Sequence, residues 1–295
     1  MERAKKSNPN LSAFSIILFS LLLIYVVSLI IPLCWALITS LKGKLDFIRN
    51  PFGLPKEWEW KNYITAAENF TSIYNKNGVV RTVEIGEMLI NSLVYALGGS
   101  FLGTLVTCVM AYASSRFNFK MSKWIYSTVL VVMTLPIVGS LPSAIQVMKT
   151  LGLYDTVPGM LIMNASFWGM HFLIFHAAFS GVPKDYSEAA YVDGASNWTV
   201  MIKIMFPLVI NTFATIMLIK FIGFWNDYNM TLQYAPNVKT LAFGLYEYSL
   251  SYAPAINGTH MKMAGCCILA VPVFILFLFF HKRIMGNVVA GGIKE

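Results

Sequence analysis

Hydrophobic positions in this chain fall in long unbroken runs separated by polar segments. Five runs contain no Asp, Glu, Lys or Arg: Ser7–Leu41, Met88–Ser115, Trp124–Met148, Thr156–Pro183 and Met263–His281. Each reaches the roughly 18 residues that a helix needs to cross a bilayer. A sixth run, from about Pro207 to Thr231, is broken only by Lys220 and Asp227. In lipid the backbone must satisfy its own hydrogen bonds within a segment, so such runs predict helices rather than strands. The pattern predicts an all-α integral membrane protein with six transmembrane helices, over about 12–41, 88–115, 124–149, 158–181, 207–231 and 263–281, in a single domain 1–295.

The polar joints set the orientation. With the N-terminus cytoplasmic, the inner segments 1–12, 116–123, 183–206 and 282–295 hold eleven Lys/Arg in 58 residues. The outer segments 42–87, 149–157 and 233–262 hold ten in 85, and net charge is +6 inside against +2 outside. Basic residues favour the cytoplasmic side, so both termini are expected inside. The first run exceeds the h-region of a signal peptide and no A-x-A-like site follows it, which predicts an uncleaved anchor. After it, "NPFGLPKEWEWKNY" predicts a turn and then a helix lying along the membrane surface, where Trp and Tyr settle. Pro136 and Pro142 predict a bend in the third helix, and Pro207 suits the first turn of the fifth. No internal repeat is evident, which argues against two fused transporter halves.

Composition narrows the chemistry. The chain is 57% hydrophobic and 12% charged, with a net charge of +8. Its bases are dispersed among loops and form no soluble basic domain, so nucleic acid is not an expected partner. Cys34, Cys108, Cys266 and Cys267 all lie in apolar runs and lack zinc spacing, and they read as small core residues. His171 and His176 are five apart without the H-E-x-x-H pattern of a zinc protease. "GGSFLG" at Gly98–Gly103 is no nucleophile elbow and instead suits close helix approach. No Walker A loop occurs, so the chain is not expected to bind ATP by that motif, and it does not read as an enzyme.

Polar residues inside the runs point to function. Lys220 and Asp227 are seven apart on one face of the fifth helix, with Trp225, Asn226, Tyr228 and Asn229 nearby. The fourth run adds Asn164, Trp168 and His171. Aromatic rings beside amides and carboxylates suit a sugar, which offers flat apolar faces and hydroxyls. The same residues also read as an interfacial aromatic belt with polar groups sealing a helix bundle.

The passage between the fourth and fifth runs is half polar. In "PKDYSEAAYVDGASNWTVMIKIMFP", Asp185 and Glu188 fall in the first turn of a short helix, where acids complement its dipole. Gly194 suits the left-handed position after that helix, and Ser196 or Asn197 can cap the next. Ala189 and Ala190 give the first helix a smooth face, so this helix–turn–helix has the form of a docking element.

Glu188, Ala189, Ala190, Gly194, Ile204 and Pro207 fit E-A-A-x(3)-G-x(9)-I-x-L-P, with Phe206 where Leu is usual. This is the coupling signature of binding-protein-dependent ABC importer permeases, which the chain resembles. "SLK" after the first run, "NSLVYAL", "AYASSRFNFK", "LGLYDTVPGMLI", "WND" and the tail "GNVVAGGIKE" are similar to the carbohydrate branch, of the maltose-transporter G kind. The resemblance implies a permease subunit forming half of a pathway for a sugar or oligosaccharide in a bacterial or archaeal inner membrane. It implies as partners membrane lipid, a second homologous permease, two ATPase subunits that bind ATP and Mg, and an extracytoplasmic binding protein. This chain itself would hold no cofactor. The segment 183–206, with Glu188, Ala189, Ala190, Asp193, Gly194, Ile204 and Pro207, would couple to the ATPase. A glycerol-phosphate-like solute is the alternative cargo in this branch. A stand-alone channel or secondary transporter would leave the exposed helix–turn–helix unexplained.

Overall fold

The structure is a computed structural model and describes residues 13–76, 78–117, 120–135 and 139–290. It is predominantly helical. In chain order the elements are α1 (Ala13–Ser40), α2 (Lys44–Arg49), α3 (Lys61–Glu68), β1 (Ser72–Lys76), β2 (Val79–Val83), α4 (Ile85–Arg116), α5 (Lys120–Thr134), α6 (Leu141–Thr150), α7 (Val157–Asn164), α8 (Met170–Ser180), α9 (Asp185–Val192), α10 (Asn197–Thr199), a π-helical stretch Val200–Met205, α11 (Phe206–Trp225), α12 (Asn229–Tyr234), α13 (Leu241–Leu250) and α14 (Thr259–Ala290). Among the described residues, contacts group the chain into two compact units, one within 13–69 and 252–268, the other within 70–251 and 269–290.

The first unit is built around the end of α1. The α1 helix is apolar and exposed from Phe14 to Cys34, so lipid or another helix must cover that stretch. Its last turn is held by side chains. Ser40 Oγ meets the Tyr63 hydroxyl at 2.7 Å, and Asn62 Nδ2 donates to the Ser40 and Lys42 carbonyls at 2.8 and 2.9 Å. Lys42 is fully buried and donates to the Asn50 carbonyl at 2.7 Å. The turn and helix expected from "NPFGLPKEWEWKNY" are present, the turn closed by Gly53 N–H donating to Asn50 Oδ1 at 2.8 Å and the helix being α3.

The second unit packs around α4, which lies against α7, α8 and α11. One core cluster joins Cys108, Ala111 and Tyr112 of α4 to Phe172, Phe175 and Phe179 of α8 and to Val209, Phe213 and Ile216 of α11. Close approach depends on the glycines of "GGSFLG". A Cβ on Gly103 would stand 2.7 Å from the Asn164 carbonyl oxygen, so only glycine lets these backbones meet.

Several expected boundaries differ. Among the described residues three helices are each long and apolar enough to span a membrane, within Phe14–Ser40, Ile85–Arg116 and Asn197–Trp225, and shorter apolar helices cover Met170–Ser180 and Thr259–Ile275, which leaves the expected count of six unconfirmed. The run over 124–149 is divided into α5 and α6. Pro142 stands in the first turn of α6, where its missing N–H has no partner to lose, and Pro136 lies outside the described residues. The run over 158–181 is divided by Ala165–Gly169, ending at Gly169 with φ 120°, ψ −172°. The fifth helix starts earlier and stops earlier than 207–231. It runs unbroken from Asn197 to Trp225, so Pro207 lies inside a helix whose preceding stretch is π-helical. A proline ring crowds the carbonyl four residues back, and a widened turn relieves that crowding.

The all-α expectation also missed a hairpin. β1 and β2 pair antiparallel, Lys76 opposite Val79 and Ser72 opposite Val83. The signal was legible in "SIYNKNGVVRTV", an Asn-Gly between β-branched runs. Lys76 ties the hairpin to Asp155 by an ion pair of 3.0 Å, and Asn75 N–H donates to Asn237 Oδ1 at 2.8 Å.

Candidate functional site

The segment 183–206 folds as helix, turn, helix. Asp185 and Glu188 occupy the first turn of α9. Its C-terminus closes in a Schellman motif. Gly194 N–H donates to the Tyr191 carbonyl at 3.0 Å, and Ala195 N–H to the Ala190 carbonyl at 2.9 Å. Gly194 takes φ +79°, the left-handed region that a Cβ disfavours. Of the two caps considered, Ser196 serves. Its Oγ accepts from Thr199 N–H at 3.2 Å and starts the next helix.

Placement sorts the signature residues. Glu188, Ala189, Asp193 and Gly194 are exposed, Ala190 is buried, Ile204 is half-buried and Pro207 is exposed on α11. Ala190 enters the core beside Ala111, Tyr112, Val200 and Met205, which fixes α9 on its inner side. Ala189, Ala190, Asp193 and Ile204 line one shallow groove of about 610 Å³ with Pro183, Asp185 and Tyr186. Three signature residues, Ala189, Ala190 and Ile204, and Asp193 of the same segment are thus neighbours in space though spread over sixteen positions. The sequence reading missed the apolar groups around them. Val192 is 87% exposed and Trp198 68%, and Tyr186 and Tyr191 are exposed as well. Large apolar side chains on an otherwise polar projection mark a contact surface, and their signal was the aromatic spacing in "DYSEAAYVDGASNW".

The second candidate region lies where α4, α7 and α11 meet. Asn164, the last residue of α7, donates from Nδ2 to the Tyr95 hydroxyl at 3.2 Å and to the Met160 carbonyl at 2.9 Å. The Tyr95 hydroxyl donates to Asp227 Oδ2 at 3.0 Å. Asp227 Oδ1 accepts from the N–H groups of Asn229 and Met230, at 2.9 and 3.2 Å, which starts α12 and explains why α11 stops short of it. Lys220 donates from Nζ to the Gly103 carbonyl at 2.8 Å and to Thr107 Oγ1 at 3.3 Å. The Thr107 hydroxyl, with one proton to give, donates to the Gly103 carbonyl at 2.6 Å and also lies 3.2 Å from the Ser166 carbonyl, inside the Ala165–Gly169 break. No acid lies within ion-pair distance of Lys220 among the described residues.

The remaining candidates separate into three groups. Trp168 lies in the break, exposed and 4.2 Å from the Phe167 ring, and His171 is half-buried at the start of α8. Asn226 is exposed and its Nδ2 donates to its own helix at the Ile222 carbonyl, 2.8 Å, while Tyr228 stacks on Tyr246 at 4.8 Å. Trp225 is 1% exposed, stacks on Phe221 and donates from its indole to the Leu269 carbonyl at 3.1 Å. Its ring is thus enclosed by other groups of the chain. Tyr95, Gly103 and Thr107 join the region without having been singled out individually, although Gly99, Gly103, Thr107 and Ala111 form a four-residue repeat of small groups. The non-helical backbone of Ala165–Gly169 is met by protein, with the Thr107 hydroxyl 3.2 Å from the Ser166 carbonyl.

Residues 99–288 match the family described as binding-protein-dependent transport system inner membrane component. The chain is 27% identical over 282 residues to the diacetylchitobiose uptake system permease protein NgcG of Streptomyces coelicolor, covering 94% of this chain and 88% of that one. It is 25% identical over 295 residues to the arabinooligosaccharides transport system permease protein AraQ of Bacillus subtilis, covering 98% and 99%. Its fold is similar to a chain of a bacterial ABC transporter that imports the acidic polysaccharide alginate, with TM-score 0.75, 19% identity, and 95% and 99% of the two chains covered.

Proposed function

The chain belongs to the family of binding-protein-dependent transport system inner membrane components, and from that premise we propose that it is the permease subunit of an ABC importer for a sugar or oligosaccharide. The observation that carries the reading is the groove on α9, where Ala189, Ala190, Asp193 and Ile204 are brought together beside exposed Glu188. In this reading a separate ATPase binds and hydrolyses ATP, and its movement pushes on α9. The Schellman turn and the buried Ala190 keep α9 from swivelling, so the push reaches the bundle.

Solute would pass near the break at Ala165–Gly169, where Asn164, Trp168, His171, Lys220, Asn226, Asp227 and Tyr228 supply hydrogen-bonding groups and ring faces. Sugar as cargo is supported by relatives whose names specify diacetylchitobiose and arabinooligosaccharides. A second permease would complete the pathway, and an external binding protein would deliver solute. One solved relative is described in complex with a pentasaccharide-bound periplasmic protein.

Membrane vesicles bearing the full complex test this reading. ATP inside, with binding protein outside, should drive uptake of at least one labelled oligosaccharide from a panel including diacetylchitobiose, arabinotriose and raffinose. Uptake of none of them, with ATP-driven uptake of a phosphate ester instead, would replace the sugar assignment. Uptake that persists without any ATPase subunit would remove the importer class.

A further inference from the structure

The inference concerns the inner end of α4 and rests on the coupling role proposed for α9. Arg116 is the last residue of α4, and its Nη2 donates to the Val182 carbonyl at 2.6 Å. Val182 lies in the short linker between the end of α8 at Ser180 and the start of α9 at Asp185. The bond therefore holds the base from which the exposed helix projects. Of the eight residues of α9 only Ala190 is buried, and half-buried Ser187 adds a contact from its Oγ to Met205 Sδ at 3.6 Å. Those contacts hold the body of α9, and the Arg116 bond holds the linker at its base.

The environment of Arg116 fits that task better than a solvating or charge-pairing one. No carboxylate lies within ion-pair distance of it among the described residues. The side chain is half-buried and its Nε is buried without a hydrogen-bond partner. Keeping a guanidinium partly dry without an acid is unfavourable unless its position does something. The same helix carries Tyr95, Gly103 and Thr107, which meet Asp227, Asn164 and Lys220. Gly103 and Arg116 are thirteen residues apart, roughly 20 Å along a helix.

We infer that Arg116 is a positioning residue that joins α9 to α4, so that motion of the bound ATPase is passed along α4 to the polar groups of the pathway. Its bond to the Val182 carbonyl is the joint. Lipid-facing or merely capping arginines at helix ends do not make transport per ATP depend on them, and that dependence is the distinguishing readout.

The test uses the complete importer reconstituted with its binding protein, carrying Arg116→Met, Arg116→Lys or, as a control, Ala189→Arg. The readout is labelled sugar carried per ATP hydrolysed, with diacetylchitobiose or raffinose as probe, whichever the wild-type complex transports. Arg116→Met should lower that ratio roughly tenfold, the scale of one charge-assisted hydrogen bond, at unchanged complex yield. Arg116→Lys should recover most of it, because an ammonium can donate to the same carbonyl. A wild-type ratio in Arg116→Met overturns the inference, as does a loss that follows complex yield and is not rescued by lysine. Normal coupling in Ala189→Arg would instead remove the docking role of α9 itself, which separates the two failures.

Discussion

Tyr95 and Asp227 meet across two helices, the phenol donating to the carboxylate at 3.0 Å while Asn164 donates to the phenol at 3.2 Å. The three groups form one polarised chain from the end of α7 through α4 to the end of α11. Tyr95→Phe keeps the ring against Phe224 but removes the hydroxyl, so Asp227 Oδ2 loses a donor and Asn164 Nδ2 an acceptor. Leaving such groups unpaired costs about 1–3 kcal/mol. We expect a lower melting temperature for the detergent-purified complex and reduced sugar uptake. An unchanged melt would show that water replaces the hydroxyl freely and that the chain of bonds has no structural weight.

Trp225 separates packing from transport. The position looked like part of an aromatic sugar contact, but the ring is buried and its N–H is bound to the Leu269 carbonyl. Trp225→Ala should therefore act as a core truncation, destabilising by about 3–5 kcal/mol and reducing the amount of assembled complex. Uptake per assembled complex should stay near wild type. Trp168→Ala, at an exposed ring beside the helix break, should do the reverse. Wild-type levels of Trp225→Ala with specific loss of uptake would return Trp225 to the pathway.

Orientation is open to thiol labelling. The charge distribution places Lys61 outside and Lys184 inside, and both positions are exposed on the chain. Lys61→Cys should react with an impermeant reagent in intact cells, and Lys184→Cys only after permeabilisation. Lys239, also on an expected outer segment, is a poor probe because its side chain is buried. Reaction of Lys184→Cys in intact cells would invert the topology.

Lys239 makes a pH prediction instead. Burial pulls its pKa below the ordinary lysine value, and the Glu247 carboxylate at 3.7 Å opposes that shift without cancelling it. The folded state thus disfavours the charged form. That penalty is fully present below the folded pKa and fades as pH rises through it toward the unfolded value. Lys239→Met removes the penalty at every pH, so its melting temperature should exceed wild type by most near neutrality, with the gap narrowing in alkali. A gap that widens with pH would mean that the ion pair with Glu247 outweighs burial. Glu247→Gln should enlarge the penalty at neutral pH.

The sequence made the strongly local features legible. Apolar runs marked α1, α4, α11 and α14, and Gly194 announced its left-handed turn through residue type and spacing alone. Interruptions inside apolar runs were not legible, because Ala165–Gly169 contains nothing more disruptive than Ser and Gly. Its non-helical course depends on groups distant in sequence, with the Thr107 hydroxyl 3.2 Å from the Ser166 carbonyl. The burial of Trp225 was hidden for the same reason. A tryptophan near a membrane interface reads alike whether it faces solute, lipid or the Leu269 backbone, and only tertiary packing distinguishes them. The hairpin at Ser72–Val83 is legible in the chain, through an Asn-Gly between β-branched runs.

The coupling segment makes the sharpest prediction. Gly194 has no atom within 4 Å of where a Cβ would lie, so a side chain there meets no steric obstacle. Its φ of +79° is the constraint, and a residue with a Cβ spends roughly 1–2 kcal/mol to hold it, more when β-branched. Gly194→Val should break the two turn bonds to Tyr191 and Ala190 and let α9 swing about Ala190. Ala189 works differently. It is exposed and lines the groove, so Ala189→Arg fills the groove and leaves the backbone intact. Both residues lie between the apolar helices rather than within them, so the amount of chain in the membrane should change little. Uptake should be lost in both, the ATPase should fall away from detergent-purified complexes, and binding protein with sugar should no longer stimulate hydrolysis. The two variants should also differ: Gly194→Ala, which keeps the groove and lessens the strain, should recover part of the activity, whereas Ala189→Lys should not. Full stimulated hydrolysis in Ala189→Arg together with Gly194→Val would reduce this helix–turn–helix to a connector.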